Sequence, residues 1–379
     1  MVALVSASLF VLSLFFSVLA PILPQLGREL NLTAFETGVL VAMLGAGAIT
    51  GTLGGALLAV RIGVQPTALI ALVTLAAASL AFGLAHSYAV LLASRFLQGC
   101  GDFGCGTALL SWLFDEVPVP RRGEMLGVVL GASGSGAVFG PVIGGLAAGV
   151  GRLEVFSGLA AAILLAAPAT LLVHAPEPSG DRRLQIGAAF RQASIRRAMW
   201  LNILPPMLIA ALTVLVPLQL DHLGAGAGAI TLCFAAGAML GALTRPAVGR
   251  WSDRRGRIRP VKACLLPNIP LLVVLPLLTH VAAVIPVAVI TLIVSGLLWT
   301  PLLALVVDAC AAVGVTQIAA VAIMNLVGAP GGIIGSVASG LLVQIGGQQA
   351  AYALLVAVLL GTWVALKRVP ESAFGVPTR

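Results

Sequence analysis

The sequence predicts an all-α integral membrane protein of twelve transmembrane helices, arranged as two pseudo-symmetric six-helix bundles around a central cavity. Three observations predict it. The 379 residues are 60% hydrophobic and only 9% charged, where a soluble domain carries about 25% charge. Successive apolar runs are each long enough for the roughly 20 residues that cross a bilayer core. Features of the first half recur in the second at a nearly constant offset, the sign of an internal repeat.

The spans fall near 3–25, 36–59, 66–85, 88–113, 125–149 and 154–174, then 198–219, 228–248, 261–280, 283–308, 316–341 and 348–367. They are helices, because barrel strands would be shorter and would alternate polar with apolar. The first run carries no Lys or Arg before it and outlasts a signal-peptide core, so it is a span. The chain therefore divides into an N-terminal bundle over 1–174, a linker over 175–197, a C-terminal bundle over 198–367 and a tail over 368–379. The linker opens on Pro176, Glu177 and Pro178, then carries Arg182, Arg183, Arg191, Arg196 and Arg197, and it is expected to lie in part on the membrane surface.

Charge sets the expected orientation. Arg28 and Arg152 fall in one set of loops, and Arg95 and Arg245 fall inside spans. The remaining 17 of the 21 Lys and Arg lie in the other loops and at the C-terminal end, which places both termini in the cytoplasm. The net charge of +8 is thus a topology signal. No separate basic domain remains to bind nucleic acid. The basic set is almost all arginine, which fits a bacterial inner, plasma membrane. The five cysteines sit in apolar runs without a Cys-x-x-Cys pair or ligand-spaced His, so they read as packing residues with no metal.

The repeat can be followed residue by residue. A shift of 193 carries Arg61 to Arg254 and Asp115 to Asp308. A shift of 196 carries Ala20-Pro21 to Val216-Pro217, and one of 195 carries Gly136, Gly140 and Gly145 to Gly331, Gly335 and Gly340.

Three motifs carry chemistry. After span 8 the chain reads Gly249-Arg250-Trp251-Ser252-Asp253-Arg254-Arg255-Gly256-Arg257, a polar loop whose Asp and Arg can cap helix ends and pair across one face. The first-half counterpart keeps Arg61 and Gly63 but has Val60 where an acid would match Asp253. Arg61 with Asp115, and Arg254 with Asp308, are the expected pairs of a gate that holds in one conformation and releases in another. In span 4, Arg95, Gln98 and Asp102 lie on one helix face, with Arg95 and Asp102 about 10 Å apart along the axis. Ionisable groups at that depth mark function or a structural ion pair. A carboxyl poised between burial and a neighbouring guanidinium is suited to load and release a proton. In span 5, Gly127, Gly136, Gly140, Pro141, Gly144 and Gly145 provide a side-chain-free groove and a kink.

These motifs resemble those of the major facilitator superfamily. The span 8 segment is similar to its Gly-x-Leu-Ala-Asp-Arg-x-Gly-Arg loop, Arg95 to Gly101 to its Arg-x-x-Gln-Gly-x-Gly motif, and the span 5 pattern to the motif of its twelve-span drug:proton antiporters. The resemblance implies export of a small apolar or amphiphilic molecule against protons by alternating access. It also implies a monomer that uses the proton gradient and no cofactor. Two departures stand out. Val60 replaces an acid, and span 1, which ends Pro21-Ile22-Leu23-Pro24, lacks the acidic residue of many antiporters. Asp102 is then the leading coupling residue, with Arg95 and Gln98 beside it. A proton-coupled importer and a non-transporting sensor are the alternatives. An enzyme is not expected, since the chain shows no nucleotide loop and no interfacial cluster of His, Asp or Glu.

Overall fold

The computed structural model describes residues 2–117, 122–171, 192–312 and 317–367. The expected tail and most of the expected linker lie outside those ranges. In lipid every backbone N–H and C=O must find a partner inside the protein, and the described spans meet that demand as helices. The helices are α1 (Val2–Ser17), α2 (Leu23–Glu29), α3 (Ala34–Ile62), α4 (Val64–Gly83), α5 (Tyr88–Glu116), α6 (Arg122–Val150) and α7 (Arg152–Ala166). After the linker come α8 (Ala193–Asn202), α9 (Leu204–His222), α10 (Ala227–Arg255), α11 (Ile258–Val274), α12 (Val281–Leu297), α13 (Trp299–Ala311) and α14 (Gln317–Lys367).

The chain is a twelve-span integral membrane protein. Among the described residues ten helical stretches are long and apolar enough to cross a membrane, the last of them Ala322–Lys367 with 46 residues. Gly347, at φ 75° and ψ 177°, breaks that stretch into two spans. The remaining span is α5, whose Arg95, Gln98 and Asp102 lower its hydropathy below that of its neighbours. Spans one and seven each combine two shorter helices. Between α1 and α2, Pro21 and Pro24 lack the N–H that would continue the helix, and a 3-10 turn over Ala20–Ile22 takes up the break.

Two compact units emerge, one of Met1–Asn31 with Leu40–Arg183, the other of Leu32–Val39 with Leu184–Arg379. In the first, α1 packs on α6, and α4 packs on both α5 and α7. Its core gathers Phe15, Leu19, Leu75, Phe82, Trp112 and Phe156, with the Phe82 and Phe156 rings 4.7 Å apart. In the second, α9 packs on α14, α10 on α12, and α11 on both α12 and α14.

The turns repeat as the helices do. Gly63 (φ 92°) separates α3 from α4, and Gly256 (φ 85°), 193 positions on, separates α10 from α11. Gly151 (φ 136°) and Gly347, 196 apart, end spans five and eleven. Side chains rarely adopt such φ values, so glycine is required at these corners.

One expectation is corrected. Gly249–Arg255 is not a loop but the last two turns of α10. Polar side chains at the end of a span do not stop a helix, because the backbone keeps its hydrogen bonds; the stop comes from Gly256.

Candidate functional site

The polar cluster of α5 is buried by backbone contact. Ser87 caps the helix by accepting the Val90 N–H at 3.4 Å. Gly47, Gly51 and Gly55 of α3 lie on the α5 carbonyls of Phe96, Cys100 and Gly104, the last 2.6 Å from where a Cβ at Gly55 would stand. On the other side, a Cβ at Gly101 would sit 2.7 Å from the Ala71 carbonyl of α4. Close helix approach through glycine seals whatever the intervening face carries. That face carries Arg95, Gln98 and Asp102, which are 1%, 0% and 7% exposed.

Within the cluster, Arg95 Nη1 donates to Gln98 Oε1 at 2.9 Å and to the Phe15 carbonyl at 3.4 Å. Phe15 lies in the last turn of α1, where carbonyls lose their intrahelical donors. The broken end of α1 therefore offers an acceptor to a buried cation. Arg95 Nε and Gln98 Nε2 are buried without a hydrogen-bond partner. Among the described residues, Arg95 and Asp102 form no direct ion pair; Gln98, one turn from each, takes the guanidinium instead. Gln98 is the nearer partner along the helix, about 4.5 Å from Arg95 against about 10 Å for Asp102.

The glycine pattern of α6 is a groove for α1. A Cβ at Gly136 would collide with the Phe10 carbonyl, one at Gly140 with Ser17 Oγ, and one at Gly144 with the Val18 carbonyl. Pro141 is buried within α6. Gly145 is half-buried beside it, and the surroundings of Gly127 fall outside the described residues. The second unit repeats the crossing, with Gly331 against the Ile203 carbonyl and Gly335 against that of Met207.

The expected gate pairs are revised. Asp308 is not held by Arg254. Its Oδ2 accepts from Arg257 Nε at 2.8 Å, while Arg254 is exposed. Arg257 Nη1 also donates to Ser252 Oγ at 3.2 Å and pairs with Asp253. The turn at Gly256 reverses the chain, so the arginine beyond it reaches α13 and the one before it does not. Burial alone would push the Arg257 guanidinium down, but the hydrogen bonds to Asp308 and Asp253 carry it above the ordinary arginine value. Arg61 is exposed, and the Asp115 side chain lies outside the described residues.

Other polar groups at membrane depth split into two kinds. Thr213 and Thr291 donate to carbonyls of their own helices at 2.8 and 2.7 Å. Asn202 reaches the Met324 carbonyl of α14 at 3.4 Å, and Ser295 of α12 donates to Asn268 Oδ1 of α11 at 2.8 Å. Sequence reasoning missed Gln219. Its Nε2 donates to the Leu275 carbonyl at 2.8 Å, and its Oε1 accepts from Tyr352 at 3.4 Å. A lone glutamine among apolar neighbours was the signal for it.

The halves, the glycine groove and the buried polar cluster define a secondary-transporter architecture. The major facilitator superfamily model matches residues 5–331, and the chain belongs to that superfamily. Over 173 residues it is 26% identical to quinolone resistance protein NorA of Staphylococcus aureus (strain MRSA252), which is 45% of each chain. Over 211 residues it is 24% identical to multidrug resistance protein 2 of Bacillus subtilis (strain 168), covering 55% of this chain and 52% of that one. The chain thus spans about half the length of the curated relatives it matches. Its fold is similar to that of a bacterial homolog of the human lysosomal transporter Spinster, inward-facing and occupied. That likeness has a TM-score of 0.82 at 14% identity and covers 100% of this chain and 98% of the other. It is also similar to D-xylose-proton symporter, with a TM-score of 0.76 at 15% identity over 99% of both chains.

Proposed function

We propose that this transporter exports a small apolar or amphiphilic molecule in exchange for protons by alternating access. The observation that carries the reading is Asp102, a carboxyl sealed at membrane depth beside a guanidinium that Gln98 holds away from a direct pair. A carboxyl so placed can exchange a proton without first breaking a salt bridge. The drug-resistance names of the two curated relatives support export. In this reading Arg95 and Gln98 tune Asp102, and the groove of α6 allows α1 to shift. Arg61, Gly63, Asp115, Gly249, Asp253, Arg254, Gly256, Arg257 and Asp308 belong to a cytoplasmic gate. The protein works as a monomer in a bacterial inner membrane with both termini cytoplasmic, and the proton gradient is its only energy source.

The test is proton movement in everted vesicles with an acidified interior. A panel of apolar and amphiphilic compounds is added outside while a pH-gradient dye is followed, with wild type beside Asp102→Asn. Proton release triggered by a compound, and lost in the variant, is the expected result. Release that survives in the variant removes Asp102 from coupling. The second reading is proton symport, favoured by the likeness to D-xylose-proton symporter. It predicts proton release only from vesicles preloaded with the compound.

A further inference from the structure

Each unit places an arginine within a span, and the two are treated differently. Arg95 is held by Gln98 and the Phe15 carbonyl. Arg245 of α10 makes no hydrogen bond or ion pair among the described residues, and its Nε is cut off from solvent. It stands ten residues before Arg255, about 15 Å along the helix. An unpaired guanidinium at that depth is costly and persists when it has a function.

Its direction is set by the helix. Arg245 continues the face of buried Gly237 and Gly241, opposite Leu243, which is 71% exposed. Gly237 packs on Leu292 of α12, and one turn on, Gly296 gives the guanidinium room. A Cβ there would sit 3.6 Å from Arg245 Nη2. The side chain therefore lies against α12 rather than along the apolar exposed side.

No carboxylate of its own half can serve it. From 198 to 367 the acidic residues are Asp221, Asp253 and Asp308 alone. Asp253 and Asp308 are gathered by Arg257, and Asp221 lies in the last turn of α9, at the opposite end of α10. Among the elements packed on α10, α12 carries no charge, α11 offers only Arg259 and Lys262, and α13 offers only the engaged Asp308. Within residues 198–367, no carboxylate is left to neutralise Arg245, so a bound anion can supply the counter-charge.

We propose that Arg245 binds a carboxylate on the transported molecule, so that the substrates are amphiphilic acids. This rests on the reading of the chain as a small-molecule exporter and narrows its substrate class. A planar guanidinium matches a carboxylate with two parallel hydrogen bonds, and the apolar walls of α10 and α12 suit the remainder of the molecule.

The experiment is binding to the purified full chain in neutral detergent, read by fluorescence anisotropy. The probes are 1-pyrenebutyrate and its uncharged amide. The acid is expected to bind about tenfold or more tightly than the amide, the scale of a charge-assisted hydrogen bond. Arg245→Gln removes the preference, and an elution profile and melting temperature matching wild type in the same detergent report that the variant is folded. Arg245→Lys keeps the charge without the fork and falls between; if Arg245→Gln does not fold, an unchanged acid affinity in Arg245→Lys overturns the proposal. Equal binding of the two probes, binding of neither, or a preference that survives Arg245→Gln also overturns it. A preference abolished by phosphatidylglycerol but not by phosphatidylcholine assigns the site to a lipid phosphate and overturns the substrate assignment. None of these readouts uses the proton gradient, so this proposal and proton-coupled export fail separately.

Discussion

Arg257 Nε lies 2.8 Å from Asp308 Oδ2, which joins the start of α11 to α13. The same guanidinium gathers Ser252 and Asp253 from the end of α10, so a single residue ties together three helices of the second unit. Arg257 is 18% exposed and Asp308 34%, whereas Asp253 is 66% exposed and adds little because solvent screens it. Arg257→Ala should therefore cost about 1–2 kcal/mol, and Arg254→Ala should change stability by no more than about 0.5 kcal/mol. Thermal unfolding of the two variants in detergent checks this. A larger loss at Arg254 would restore the pairing expected from sequence.

The raised pKa of Arg257 gives the pair a definite behaviour with pH. A group whose folded pKa exceeds its unfolded value contributes its full stability below the unfolded pKa. The cation therefore persists across the physiological range, and a gate built on Arg257 must open by motion or by a change at its partners.

The groove of α6 predicts a sharp positional contrast. Ala at Gly136, Gly140 or Gly144 would force the α1 backbone or Ser17 to move, at about 1–3 kcal/mol each. At Gly131 and Gly134 a Cβ meets nothing within 4 Å. Ala there should be neutral, or stabilising by up to about 1 kcal/mol through helix propensity. Melting temperatures of the five single variants decide it. A uniform response would mean that α1 and α6 do not cross at these glycines.

The corner glycines make a paired prediction. Gly63 (φ 92°, ψ 166°) and Gly256 (φ 85°, ψ 167°) adopt nearly the same conformation 193 positions apart. Ala at either should cost about 1–3 kcal/mol of backbone strain, and by similar amounts. A large loss at one and none at the other, in thermal unfolding, would break the structural equivalence of the two turns.

Much of this architecture could be read from the residues, for physical reasons. A span demands roughly twenty predominantly apolar residues, so the ends of apolar runs locate the helices to within a few positions. The corners were legible as Gly63 and Gly256 because few side chains tolerate positive φ. Side-chain partners were harder. Arg254 and Arg257 are both close enough in sequence to reach Asp308, and the choice depends on how the turn at Gly256 redirects the chain. Arg95 and Asp102 share a face, but Gln98 lies between them and takes the guanidinium first. Arg245 could be placed inside a span, yet its isolation became visible only when Asp253 and Asp308 proved to be taken by Arg257.

The role of Gln98 can be isolated from simple packing. Its Oε1 is the only side-chain acceptor for Arg95 among the described residues, in a site with no exposure. Gln98→Ala leaves a buried guanidinium short of a charge-assisted bond, a loss of about 1.5–3 kcal/mol. The freed side chain then has Asp102 as its nearest anion on α5, one helical turn beyond position 98. Engaging it would turn a carboxyl free to exchange protons into half of an ion pair. Two consequences follow for the double variant with Asp102→Asn. In stability, the two substitutions should be non-additive, because the second removes the anion to which Arg95 would turn. In vesicle proton release, Asp102→Asn should lower activity strongly in wild type and little further once Gln98 is gone. Melting temperatures and dye traces for the four proteins complete the cycle. Additive losses in both would mean that Gln98 merely fills space and that Arg95 and Asp102 act independently.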